Sequence, residues 1–168
     1  MLIAAISDIH DNLVNLKTTL DWCRSNKIKK VFVCGDLTTL ETITYLAANF
    51  SGEIFMVRGN IELWEEEEIK TYKNILYYGE AGTKKIAGIN LGFCHEPDEI
   101  NKLIERSDPK PNFIFYGHTH KPGLEKRGLT VLVNPGNIAG VWYPATFAVL
   151  DTAKKKLDLK ILTNLRRG

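Results

Sequence analysis

The apolar positions of this 168-residue chain fall in short runs that end in polar, glycine-bearing turns. Residues 2–6, 31–34 and 54–57 are almost wholly apolar. Such runs are expected of strands buried on both faces. Between them, residues 12–23 carry Leu13, Leu16, Leu20 and Cys23 at a helical period, and residues 38–49 carry Leu40, Ile43, Leu46 and Ala47 in the same way. Asp11 or Asn12 is placed to cap the first helix. This β-α-β-α-β order predicts three parallel strands joined by right-handed crossovers. Residues 64–72 predict a short helix or an ordered loop, with the acidic run 65–68 as a solvated face.

After Asn74 the pattern changes. Short strands are predicted at residues 75–78, 84–87 and 89–93, separated by Gly79, Gly82 and Gly88, with Gly88 in a hairpin turn. Residues 97–106 predict a helix with Ile100, Leu103 and Ile104 inward, and residues 113–116 another buried strand. Residues 130–133, 145–150 and 157–162 are expected to complete a second sheet, the last two joined by a turn at 151–155. The predicted fold class is α/β: two stacked mixed β-sheets flanked by helices, forming one domain over residues 1–168.

Composition narrows the picture only a little. Hydrophobic residues at 44% and charged residues at 25% describe an ordinary globular chain. A net charge of +2 leaves a nucleic-acid partner open without arguing for one. The basic residues Lys154, Lys155, Lys156, Arg166 and Arg167 are expected on solvated surface. Three cysteines, Cys23, Cys34 and Cys94, fall on predicted helix and strand interiors. They read as reduced, buried thiols, and no Cys-x-x-Cys pair offers a thiolate zinc site. No basic leader or membrane-length apolar stretch is present, so a cytoplasmic location is expected.

The chemistry lies where the strands end. Asp8 and His10 follow the first strand, Asp36 the second, Asn60 the third, His95 the strand at 89–93, and His118 and His120 the strand at 113–116. All four histidines of the chain belong to this set. A parallel sheet gathers the C-terminal ends of its strands along one edge, where ligands bind. Asp-x-His and His-x-His put two donors on one side of an extended chain. Mixed nitrogen and oxygen donors suit manganese, iron, zinc or nickel better than calcium or magnesium. A shared carboxylate can bridge two such ions, which clamp a phosphoryl group and hold a hydroxide for in-line attack.

These motifs, in this order, resemble those of the calcineurin-like metallophosphoesterases, and most closely the small YfcE-type phosphodiesterases, along essentially the whole chain. Asp8 and His10 match the first motif, Gly35-Asp36 the second, Gly59-Asn60 the third, His95 the fourth and Gly117-His118-Thr119-His120 the last. Asn134-Pro135-Gly136-Asn137 resembles a late turn of that subfamily. The resemblance implies an α/β/β/α sandwich and two divalent ions, manganese first, with nickel, iron or zinc as alternatives. It implies that Asp8, His10 and His120 hold one ion and Asn60, His95 and His118 the other, with Asp36 bridging. It also implies a metal-bridging hydroxide as nucleophile and a small-molecule phosphodiester as substrate. A homodimer or homotetramer is compatible with it.

The chain departs from the family pattern at two places. Ile61 stands where many members carry a histidine that protonates the leaving group. His95-Glu96-Pro97 replaces the usual His-Gly-His and loses a second histidine. Glu62 is a candidate base toward a ligand histidine. Asn12, Arg58 and Asn60 are candidate substrate contacts, and Trp142-Tyr143 lines the cleft, forms a subunit contact, or is plain core or surface packing. The rival reading is a protein-binding scaffold that retained the fold, as in the retromer subunit that resembles this family. A metallo-β-lactamase site is excluded, since its His-x-His-x-Asp-His cluster is absent.

Overall fold

The computed structural model describes residues 1–165. Arg166 and Arg167, expected on basic surface, lie outside the described residues. The first half alternates as predicted: β1 (Leu2–Ile6), α1 (Leu13–Ser25), β2 (Lys30–Cys34), α2 (Leu40–Asn49), β3 (Glu53–Val57), the short α3 (Glu66–Ile69) and β4 (Ile75–Tyr77). Strands β1 to β4 pair in parallel, each beside the next. The second half contributes β5 (Ala81–Ile86), β6 (Ile89–Cys94), α4 (Asp98–Arg106), β7 (Phe113–Phe115), β8 (Gly123–Arg127), β9 (Thr130–Asn134), β10 (Thr146–Asp151), β11 (Lys156–Ile161) and α5 (Leu162–Leu165). The hairpin between β5 and β6 turns at Ala87 and Gly88, both with positive φ (50° and 78°). Two such residues make the turn whose twist suits a two-residue hairpin.

The strands form two mixed sheets. One runs β11-β10-β1-β2-β3-β4 and the other β5-β6-β7-β9-β8. Strand alternation explains why the runs are apolar throughout. Ala4, Ile6, Val31, Val33, Ile54 and Met56 pack toward Leu16, Leu20, Ile43 and Leu46 of the helices. Their neighbours Ile3, Ala5, Phe32, Cys34, Phe55 and Val57 face Leu91, Phe93, Phe115 and Val133 of the other sheet. Ile114 and Leu132 meet Ile100 and Leu103 of α4 on the far side. The layers are therefore helix, sheet, sheet, helix.

Two expectations need correction. Only β9 joins the second sheet, whereas β10 and β11 extend the first. Strand β10 pairs antiparallel with β1, Ile3 opposite Leu150 and Ala5 opposite Ala148. Its residues are apolar on both faces because it lies inside that sheet, with Phe147 and Val149 toward the helices and Ala148 and Leu150 between the sheets. The five donor-bearing strands likewise divide between two sheets, β1, β2 and β3 in one and β6 and β7 in the other. Strand β8 went unpredicted. All five of its residues are exposed, so no apolar period marks it. The acidic run after Trp64 is a solvated helix start: Glu65 and Glu68 form a capping box, and Lys70 pairs with Glu66 and Glu67. The three cysteines are buried and free. No helix among the described residues is long and apolar enough to cross a membrane.

Phe32 is the centre of the contact between the sheets. Its ring lies 4.9 Å from Phe55 and Phe93 and 5.5 Å from Phe115, centroid to centroid. Phe32→Ala is expected to lower unfolding free energy by about 3–5 kcal/mol in chemical denaturation. Leu129→Ala, at a side chain 94% exposed, should change it by less than about 0.5 kcal/mol.

Candidate metal centre

The sheets meet so that the loops after β1, β2, β3, β6 and β7 share one edge, and all seven predicted donors come together there. His10 Nε2 faces His120 Nε2 at 3.1 Å. Asn60 Oδ1 lies 2.8 Å from His95 Nε2 and 2.9 Å from His118 Nδ1. Asp36 Oδ2 stands 3.4 Å from His95 Nε2 and 3.9 Å from His10 Nε2. Asp8 Oδ1 is 3.3 Å from His120 Nε2 and accepts from the His118 backbone N–H at 3.2 Å. Two groups, Asp8-His10-His120 and Asp8-Asp36-His95, each have ligand atoms close enough to surround one ion.

The loops that present these groups are strained and tight. Asp8, His10, Asp36, His118 and His120 all have left-handed backbone, with φ from 44° to 67°. Side chains avoid this region, and such strain gathers at functional sites. Hydrogen bonds among the loops hold it: Asp8 N–H donates to Gly35 O at 3.1 Å, and the N–H groups of Ile9 and His10 both donate to Asp36 O. Two glycines permit the close approach. A Cβ on Gly59 would fall 2.0 Å from Asp36 Oδ1, and one on Gly117 would fall 1.9 Å from Ser7 Oγ.

The electrostatics of the cluster suit a bound cation. Asp8 is fully buried, and burial pushes its carboxyl up to about 7. Its Oδ2, like His120 Nδ1, is buried without a hydrogen-bond partner among the described residues. Burial also works against ionised Asp36, but the hydrogen bond and charge of His95 hold that carboxyl below its usual value. Burial opposes the charge of His95, yet Asp36 holds the imidazole above its ordinary range. Burial and the neighbouring His10 together push His120 down. His95 Nδ1 donates to Cys34 O at 2.7 Å, since a carbonyl can only accept. Its Nε2 is then left facing two acceptors, Asn60 Oδ1 and Asp36 Oδ2. A proton or a cation has to stand between them, so the residues present fit a bound divalent ion.

Three candidate residues turn out to be committed elsewhere. Glu62 is not directed at a histidine. Its Oε1 accepts from Leu37 N–H at 3.2 Å and Gly59 N–H at 3.1 Å, and its Oε2 from Thr38 N–H and Trp64 Nε1–H, each at 2.8 Å. It ties the β2 and β3 loops together. Arg58 follows Val57, which faces the other sheet, so by alternation it points to the opposite side. There its guanidinium lies 4.8 Å from the Trp64 ring and donates to Trp64 O at 3.3 Å. Asn12 caps α1, accepting from Asn15 N–H at 3.0 Å, and donates to Ala139 O at 3.0 Å. After His95 the chain turns at once into α4, with Glu96 exposed and Pro97 at the helix start.

The sequence pattern marks no positioning role for Ser7, Asn134 or Asn137, and Asp11, a candidate cap for α1, serves the start of α2 instead. Ser7 Oγ donates to the Cys34 carbonyl at 2.9 Å, the same oxygen that orients His95. Asp11 Oδ1 accepts from Thr39 Oγ1 at 2.7 Å and from Thr39 N–H at 3.2 Å, closing the start of α2. Asn134 donates to Gly117 O and Thr119 Oγ1, each at 3.0 Å, and buried Asn137 donates to His120 O at 3.1 Å. The polar residues around Pro135-Gly136 were the available signal for the last two.

A family model, the calcineurin-like phosphoesterase superfamily domain, matches residues 1–155. The chain belongs to this superfamily. Phosphodiesterase MJ0936 of Methanocaldococcus jannaschii is 24% identical over 163 residues, covering 93% of this chain and 96% of the relative. Among solved structures, an archaeal phosphodiesterase matches with a TM-score of 0.85 at 23% identity, covering 96% of this chain and 99% of that one. Vps29 of Entamoeba histolytica, solved in complex with zinc, matches with a TM-score of 0.68 at 18% identity, covering 96% and 99%. The two stacked sheets with flanking helices are thus the metallophosphoesterase fold.

The four bonds to Glu62 give a test of its role. Glu62→Gln puts an amide donor against backbone N–H groups. It should lower stability by about 1–3 kcal/mol, read by denaturant unfolding. Unchanged stability with lost turnover would restore Glu62 as a catalytic base.

Proposed function

We propose that the chain is a metal-dependent phosphodiesterase that works with two divalent cations. The observation that carries this reading is the place of Asp36, whose Oδ2 is within 3.9 Å of both His10 Nε2 and His95 Nε2. One carboxylate oxygen is common to the two histidine groups. On this reading Asp8, His10 and His120 hold one cation, Asn60, His95 and His118 the other, and Asp36 is shared. Manganese is the first ion to test, and the donor set also suits iron, nickel or zinc. Two such ions would neutralise the phosphoryl oxygens and ionise the attacking water. The similarity to a relative named as a phosphodiesterase supports the ester class.

The chain's own residues do the rest. The Cys34 carbonyl keeps His95 in one tautomer, and the His118 N–H steadies Asp8. Position 61 supplies no proton. Ile61 is aliphatic and 39% exposed beside Asn60, so a leaving alkoxide departs bare or takes its proton from water.

Protein purified without chelator and reconstituted with manganese should hold two ions per chain and cleave bis(p-nitrophenyl) phosphate. Asp36→Ala should lose metal and drop kcat/KM by several kcal/mol of transition-state stabilisation, on the order of 10³-fold or more. A stoichiometry near one removes the second ion from the mechanism. Near-wild-type activity in the variant removes the bridging role. Two bound ions without hydrolysis of any diester would make the chain a scaffold.

The missing proton donor has its own signature. General acids contribute about 10²–10⁴-fold, mostly for poor leaving groups. A plot of log kcat/KM against leaving-group pKa should therefore be steep, and Ile61→His should flatten it. A shallow slope in the wild type would mean that some other residue protonates the leaving oxygen.

A further inference from the structure

The segment from β9 to β10 crosses from one sheet to the other along the donor edge, and it is held firmly. Ile138 and Ala139 N–H donate to the carbonyls of Ser7 and Asp8, each at 3.0 Å. Asn12 Nδ2 donates to Ala139 O at 3.0 Å, and Asn15 Nδ2 to Ile138 O at 2.7 Å. Asn137, with no exposed surface, accepts from Val141 N–H at 3.0 Å and donates to Val141 O at 3.3 Å and His120 O at 3.1 Å. The segment is thus tied to the strand ends that supply Asp8 and His120.

Trp142 stands out from this anchored loop. It is 82% exposed, between Val141 at 41% and Tyr143 at 38%. Its φ is 61°, a left-handed backbone that a bulky residue adopts only when its surroundings impose it. The indole leans on His120, ring centroids 5.0 Å apart and planes tilted by 40°, and most of its surface is open. A large aromatic side chain kept out of the core, on an anchored loop, in contact with a residue of the histidine cluster, has the features of a stacking platform. Stacking needs only the π face of a partner ring, so it accepts any planar group brought to it.

We infer that Trp142 stacks on a planar aromatic group carried by the phosphate ester, a nucleobase or an aryl ring, and so sets the substrate class of the site. This rests on the phosphodiesterase reading above. The phosphate is held at the histidine cluster, and the ring lies beyond it on the indole. Esters bearing only sugar or alkyl groups lack the contact. Because the indole meets the face of the ring and not its edges, one base is preferred little over another.

The test is binding, measured by calorimetry and tryptophan fluorescence on manganese-reconstituted protein with AMP, phenyl phosphate and ribose 5-phosphate. Wild type should bind AMP roughly 5- to 100-fold more tightly than ribose 5-phosphate, the range of a base–aromatic stack, with quenched emission. Trp142→Ala should weaken AMP alone and erase the difference. Trp142→Phe should restore most of it, and Trp142→Leu should not, since apolar surface without a ring is insufficient. Phenyl phosphate that follows AMP assigns the platform to aryl rings in general. Phenyl phosphate that follows ribose 5-phosphate assigns it to nucleobases. In turnover, the variants should raise KM for aromatic diesters and leave kcat nearly unchanged. Equal affinity of wild type for AMP and ribose 5-phosphate, or equal loss of both in Trp142→Ala, overturns the inference. If diesters are still cleaved, the phosphodiesterase reading survives that result. Binding of none of the three ligands, with no diester cleaved, overturns both.

Discussion

Aromatic rings from both sides dominate the space between the sheets, Phe32 and Phe55 from the first sheet and Phe93, Phe113 and Phe115 from the second. Neither sheet alone carries all seven residues of the cluster. Asp8, His10, Asp36 and Asn60 follow strands of the first sheet, and His95, His118 and His120 follow strands of the second. The distance between the two halves of the site is therefore fixed by how closely the rings pack. Close-packed interiors yield little to compression or shear, so the loops at the edge inherit that rigidity. The 2.8 Å approach of Asn60 to His95 is one outcome, since these residues belong to different sheets.

Rigidity also explains how the site tolerates its backbone. Five donors in the left-handed region carry strain on the order of 1–3 kcal/mol each. Extended or helical backbone would send these side chains apart. Cross-loop hydrogen bonds from Asp8, Ile9 and His10 to the carbonyls of Gly35 and Asp36 offset part of the strain. Glu62 and Asn137 do the same from farther out, each gathering N–H groups that the turns would otherwise leave unpaired.

What could be read from the chain follows from which physics is local. The gathering of seven side chains at strand ends was legible, because their kind is read from residue type and strand periodicity is short-ranged. The layered architecture was legible for the same reason: residues 2–6 and 31–34 are apolar on both faces, which only a doubly covered strand needs. The capping of α1 by Asn12 was legible, but its bond to Ala139 and the roles of Arg58 and Glu62 were not. Each is polar and near a motif, and its duty depends on which backbone groups arrive from elsewhere in the fold. The membership of β10 was equally hidden, since Thr146–Asp151 would suit the interior of either sheet. Strand β8 had no signal to give, being a polar edge.

The pairing of β10 with β1 has a consequence for how the chain is made. Leu2 meets Asp151 and Ala5 meets Ala148, residues far apart in the sequence. During synthesis, β1, β2 and β3 can associate as soon as their crossover helices emerge, but one edge of β1 stays open until β10 has been translated. Contacts so distant in sequence close slowly. For that interval the nascent protein presents an apolar, unpaired strand edge to its surroundings, the kind of surface that chaperones cover. Strand β10 is the one that seals it.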